Sequence, residues 1–266
     1  YRETRSQELT ESLWSHPQSP WRDRINMLGE RGVAGATQSA WINSLMASFV
    51  KPWKSRGSNT GGLFGSNLPG DDDVLGWSRA QQAAFLICAW NSFIEQVKSC
   101  PDDWAKDLRG EDDPLKDVME DLIGNTDELP FYGKHSLINS DQGVRGFLYI
   151  LNDIFFMSSI KWNLRSWQAS ENAGAGDENA VSEAIVSLKR TDIPKLISRL
   201  TVALVTFDWR ASSAPNLNDK ERRSKLAFRG SGGYKELRVQ LHEHLTNSSD
   251  VEIASISNDV LKIIKT

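Results

Sequence analysis

The sequence predicts a mainly α-helical fold: a single multi-helix domain with long loops and few or no strands. Three observations predict it. Apolar residues recur at helical spacing through most of the chain, strand-like runs are scarce, and the best apolar runs are opened by Ser or Thr in capping position. The 266 residues are 39% hydrophobic and 25% charged. That is ordinary globular usage, and a chain of this length can bury a sizeable core. The whole of 1–266 is read as one helical domain, with a sub-boundary at the small-residue, polar linker 169–179.

Residues 3–15 read as a helix with Leu9, Leu13 and Trp14 on one side. Ser19-Pro20-Trp21 follows as an extended segment, because the residue before proline avoids the α region. Gly29, Gly32 and Gly35 mark a loop, and Thr37 caps a helix to about Val50 whose buried face carries Trp41, Leu45 and Phe49. Residues 54–76 form a long loop, flexible by composition at 55–62. Asp71, Asp72 and Asp73 within it lack the alternation of a cation loop and have no closing Glu, so they read as a solvated turn.

Ser78 caps a long helix to about Lys98, with Ala83, Ile87, Trp90, Ile94 and Val97 at helical spacing. Pro114 sits at the first position of a helix to about Ile123. Phe131 to Ile138 is a short strand or an extended link. Asp141 to Ile160 is the central helix. Val144, Phe147, Leu148, Leu151, Ile154 and Phe155 form one face, and Tyr149 and Phe156 extend the apolar surface, so it is buried on most sides. Arg145, Asn152 and Asp153 interrupt the run, which separates it from a membrane span. Helices at 180–190 and 191–207 follow, the second capped by Thr191. The last two run from about Tyr234 to Leu245 and from about Asp250, with Ile253, Ile256, Val260 and Ile263 on one face. Ten tryptophans is a high count, and several read as packing junctions where a buried ring can still find a partner for its N–H.

The two cysteines, Cys88 and Cys100, read as unpaired, with Cys88 a small core residue in a helical apolar run, which fits a reducing cytoplasm. No signal peptide or membrane-length apolar run is visible, and a cytoplasmic chain with no membrane partner is expected. The opening in polar, helix-like sequence at Tyr1 reads as the C-terminal part of a longer protein.

Net charge is −4, which argues against a uniformly basic nucleic-acid coat. The distribution is uneven, because residues 209–238 hold eight basic and three acidic side chains. Arg210, Lys220, Arg222, Arg223, Lys225, Arg229 and Lys235 are the candidate nucleic-acid-binding residues. Gly230 to Tyr234 leads into a helix whose N-terminal N–H groups, beside Arg229, form a workable phosphate site. Three readings stay open for this segment: a flexible connector with a solvated basic face, contact with a nucleic-acid backbone, and a nucleotide site. Around Trp21 a second charged patch holds Arg22, Asp23, Arg24, Glu30 and Arg31. It is either an internal salt-bridge cluster pinning an extended segment, or an interaction surface of Trp21, Arg22, Arg24 and Arg31. In an extended stretch Arg22 and Arg24 would share one side, and Trp21, Asp23 and Ile25 the other.

No catalytic or metal signature is present. His242 and His244, two apart on a helix, point away from each other and do not share a metal. No metal or cofactor is expected, and the chain is not read as an enzyme.

Two stretches resemble one family. Ser19, Pro20, Trp21, Arg24 and Ile25 fit an S-P-W/Y-x-x-R-I segment. Gly143, Gly146, Phe147, Leu148, Leu151, Asn152 and Asp153 fit a glycine-led apolar helix ending in Asp or Asn. Trp90, Phe93, Pro101 and Trp104 look like the tryptophan-containing stretch between them. Over about residues 5–165 the chain is similar to the region after the signature motif of prokaryotic DGQHR-domain proteins, which include the DndB-type regulators of DNA phosphorothioation; the motif itself does not occur here. The resemblance implies an N-terminal ParB/sulfiredoxin-like domain upstream and a DNA-linked role in modification control or phage defence. The expected function is therefore a regulatory or accessory domain that contacts DNA phosphates without sequence preference. Its expected partners are DNA and the N-terminal domain or sister defence proteins. The alternatives are an interaction scaffold that binds no DNA, and the non-catalytic part of a nucleotide-hydrolysing or nuclease defence protein.

Overall fold

The computed structural model describes residues 2–30, 35–52, 60–65, 74–111, 126–167, 173–230 and 232–265. Eleven α-helices run through them: α1 Arg2–Ser15, α2 Gln38–Ser48, α3 Arg79–Lys98, α4 Asp103–Arg109, α5 Leu129–Tyr132, α6 Asp141–Ser158, α7 Glu178–Leu188, α8 Ile193–Val205, α9 Asp219–Leu226, α10 Gly233–Leu245 and α11 Val251–Ile264. The fold is mainly helical. Among the described residues the only β pairing is two isolated bridges, Asn26 with Thr37 and Ser136 with Arg210. No helix among them is long and apolar enough to cross a membrane.

Two long helices organise the rest. α3 packs with α1, α7 and α8, and α6 packs with α2, α10 and α11. The two halves meet where α3 faces α6 through large rings. Trp90 and Phe93 lie 4.0 and 4.8 Å from Phe147, and Phe85 lies 5.1 Å from Phe155, centroid to centroid. Gly146 lets α10 approach on the other side of α6, since a Cβ there would sit 2.7 Å from Leu237 Cδ2.

Local signals start the helices. Thr37 accepts from Ala40 N, Ser78 and Gln81 form a capping box, and Asp250 accepts from Ile253 N, each satisfying N–H groups that a helix start leaves open. For α8 the N-cap is Asp192, not Thr191; the Thr191 hydroxyl accepts from Ile193 N one step earlier.

Three expectations are corrected. The segment after Pro20 turns rather than extends: Asp23 has φ 57, a left-handed conformation that Asp tolerates better than most residues. Alternation is lost there, so Trp21 and Ile25 point inward while Arg22, Asp23 and Arg24 face out. The Phe131–Ile138 stretch begins in α5 and then becomes a link, with Leu137 N donating to Trp209 O and Ala211 N to His135 O. The basic segment contains a full helix, α9, with a capping box from Asn218 and Glu221.

Trp21 is the hub of an aromatic cluster, with Trp41, Trp90, Phe131 and Tyr132 at 5.1–5.6 Å. Among the described residues the indole N–H groups of Trp21, Trp41 and Trp90 have no hydrogen-bond acceptor; ring faces surround them. Trp77, Trp104, Trp162, Trp167 and Trp209 do find partners. The helix expected from Pro114 to Ile123, the Asp71–Asp73 turn and Arg31 lie outside the described residues.

A cationic pocket as candidate functional site

A carboxylate at the centre of the most apolar helix is the starting point. Asp153 of α6 is fully buried, and a buried charge must be paired and hydrogen-bonded. Its Oδ2 accepts from Arg238 Nε at 2.7 Å and from His242 Nε2 at 3.2 Å. Its Oδ1 accepts from Thr60 Oγ1 at 2.5 Å. Arg238 and His242 lie four apart on α10, so one helix face delivers both. Beside Asp153, Asn152 Oδ1 accepts from Leu63 N and its Nδ2 donates to Gly61 O, both at 2.8 Å. Two adjacent polar residues of α6 thus pin residues 60–63 onto the core.

Burial pushes the Asp153 carboxyl up, but the Arg238 charge and the His242 hydrogen bond outweigh it and hold it below the usual carboxylate range. Burial lowers the His242 pKa against the pull of Asp153. With the ring neutral, Nε2 donates to Asp153 and Nδ1 finds no partner among the described residues. A protonated ring would bury an unpaired donor instead, at higher cost.

Above this floor opens a cavity of about 670 Å³, lined by Arg2, Ala47, Lys51, Pro52, Thr60, Tyr149, Tyr234, Lys235, Arg238, Val239 and Ile264. Four of these side chains are cationic and none is acidic, in a chain of net charge −4. Thr60 joins wall to floor: its hydroxyl donates to Asp153 and accepts from Arg238 Nη2 at 2.9 Å and from Lys51 Nζ at 3.4 Å. Tyr149 and Tyr234 are parallel with centroids 6.1 Å apart. Arg145 lies 3.8 Å over Tyr234, and Arg238 lies 4.6 Å over Tyr149, within cation–π range. Burial, helped by the Arg238 charge and opposed by Asp153, lowers the Lys51 pKa to about 8. Burial raises the Tyr149 pKa. Chemically, the charge of this wall suits an anion rather than a cation. Arg238 is pre-oriented by Asp153 and Thr60, and its Nη1 makes no hydrogen bond among the described residues.

The sequence-predicted basic residues divide. Arg210 is nearly buried, in ion pairs with Asp107 at 2.5 Å, Asp208 at 3.0 Å and Glu221 at 3.3 Å. Lys225 is buried against Asp208, donating to its carbonyl, with the carboxylate at 3.3 Å. Arg222 donates to the carbonyls of Ser212, Ala214 and Leu217. These three tie the 208–228 segment together, with most of their donors engaged inside the chain. Lys220, Arg223 and Arg229 are exposed but do not line the pocket. Lys235 does.

Around the second patch, Trp21 is fully buried and presents no interaction surface. Arg22 pairs with Asp23 at 3.7 Å, and Arg24 pairs with Glu128 at 3.0 Å while lying 3.9 Å over Tyr132. His242 and His244 reach different neighbours, since His244 Nε2 meets Thr206 Oγ1 at 2.8 Å.

Lys51, Thr60, Tyr149, Asp153 and Arg238 were not singled out as a site by sequence. One signal was present: an aspartate inside an apolar helix requires a partner. A search for it against basic residues at i, i+4 spacing from a histidine would have reached Arg238.

No protein-family model, no curated protein and no solved structure matches this chain.

Proposed function

We propose that this chain is a non-catalytic binding module for a phosphate-bearing nucleic-acid strand, with the Lys51–Arg238 pocket as its seat. The carrying observation is a cavity whose walls, among the described residues, hold four cationic side chains, two tyrosines and no carboxylate, in a chain that is acidic as a whole. Single-strand sites combine positive charge that tracks the backbone with aromatic faces for bases. A base-edge reader is absent from this reading, so contact is to phosphates and little sequence preference follows. The DNA-linked role implied by the family resemblance points the same way.

The test is a fluorescence-anisotropy titration of a labelled short single strand, at low and moderate salt. Affinity should fall steeply with salt as counterions are released. Lys235→Glu with Arg2→Glu should weaken binding, while Lys220→Ala with Arg223→Ala and Arg229→Ala should change it little. Binding lost in the second set and kept in the first would move the contact to the outer face of α9. No binding at low salt would favour an interaction scaffold.

A further inference from the structure

Lys51 differs from Arg238, its neighbour in the pocket. Arg238 is clamped between Asp153 and Thr60. Among the described residues, Lys51 Nζ makes one hydrogen bond, the 3.4 Å contact with Thr60 Oγ1. The Asp153 oxygens are taken by Thr60, Arg238 and His242. The remaining titratable groups lining the cavity are Arg2 of α1, Tyr149 of α6, and Tyr234, Lys235 and Arg238 of α10. A primary amine partly out of water and beside other cations is the setting in which lysine becomes a nucleophile.

We infer that Lys51 condenses through its free amine with the aldehyde of an open-chain sugar phosphate to form an imine. The inference rests on the anion-binding reading of the same pocket: the cationic walls hold the phosphate, and Lys51 meets the carbonyl. The Nζ lone pair attacks the carbonyl carbon and a C–N bond forms. The carbonyl π pair moves to oxygen, which takes a proton. That oxygen takes a second proton and leaves as water, while nitrogen gives up in all the two protons of the amine and C=N forms. One water is released and no oxidant or reductant is consumed. With a pKa lowered to about 8, the free-amine fraction at neutral pH is on the order of a hundredfold above that of an ordinary lysine.

The aldehyde has two sources, a free sugar phosphate or a base-free deoxyribose within a strand. The experiment treats the full chain with glyceraldehyde 3-phosphate, with glyceraldehyde, or with a single strand holding one base-free position. Each reaction is reduced with cyanoborohydride, digested and mapped by mass spectrometry. The expected result is an adduct at Lys51 about tenfold over exposed lysines such as Lys161 and Lys195. It should form faster with the phosphorylated aldehyde, be suppressed by inorganic phosphate and be missing in Lys51→Arg. Adduct from the strand alone assigns the polymer as source, and adduct from both small phosphate and strand assigns the free sugar phosphate as well. Labelling spread evenly over the exposed lysines overturns the inference. A strand that binds the pocket without a Lys51 adduct overturns the imine and leaves anion binding standing. Equal labelling by both small aldehydes without phosphate protection overturns the anion reading instead.

Discussion

Asp153 and Lys51 carry linkages of the same sign in different pH windows at the residue scale, because both folded pKa values are lowered. Asp153 has a folded pKa held down by Arg238 and His242. Its contribution to stability is present above the unfolded carboxylate value and is lost as pH falls through the folded one. Removing its partner by Arg238→Ala leaves a buried charge and should cost about 3–5 kcal/mol in urea unfolding. Adding Asp153→Asn to that variant should recover part of the loss. Additive costs in the double variant would mean that the two side chains are not coupled. Lys51 adds a second rise at higher pH. Below about pH 8 the folded amine is charged at a burial penalty. Between that value and the unfolded lysine pKa, the unfolded chain binds more protons, so stability should rise with pH, and Lys51→Met should flatten the rise. Anion affinity should fall over the same window, because the neutral amine no longer attracts phosphate. An unchanged stability slope in Lys51→Met would show that another group titrates there. The presence of Asn152 and Asp153 in an apolar run was legible in the sequence. Their partners were not, because Thr60 and Arg238 lie 93 and 85 positions from Asp153 and no local pattern links them.

At the scale of the element, α6 is the structural axis. Leu148 is fully buried, and Leu148→Ala should cost about 2–5 kcal/mol by lost burial and the cavity left behind; a cost below about 1 kcal/mol would place that face of α6 at the surface. Arg222→Ala should destabilise the chain rather than only its binding, since its guanidinium holds three carbonyls; thermal unfolding reads this directly, and an unchanged midpoint would show those contacts to be dispensable. Helices with strong periodicity and a local cap, such as α2, α3 and α11, were readable because both signals are encoded within a few residues. Helix α9 was not, because its Asp219–Leu226 sequence is mostly charged and has one apolar side chain at its end. Its stability comes from Arg222 and Lys225 reaching across to 208–217, a tertiary effect. The turn at Asp23 was missed for a similar reason: Trp21 is drawn into a cluster assembled from α2, α3 and α5, and the backbone bends to deliver it.

At the scale of the whole molecule, two helical groups joined through aromatic rings leave a cationic cavity between α1, α2, α6, α10 and α11. An acidic chain places four cations around a cavity where a buried aspartate orients an arginine and a hydroxyl beneath an open wall. The charge asymmetry of 209–238 was visible in sequence, but most of it serves to fold the segment, and Lys235 and Arg238 are the part that turns toward the cavity. The measurement that tests this account most directly is the anomalous signal from crystals of the chain soaked in tungstate, a heavy tetrahedral stand-in for phosphate. The account predicts a peak within hydrogen-bond distance of Lys51 Nζ and Arg238 Nη1. Peaks confined to the outer face of α9, or none at all, would contradict it.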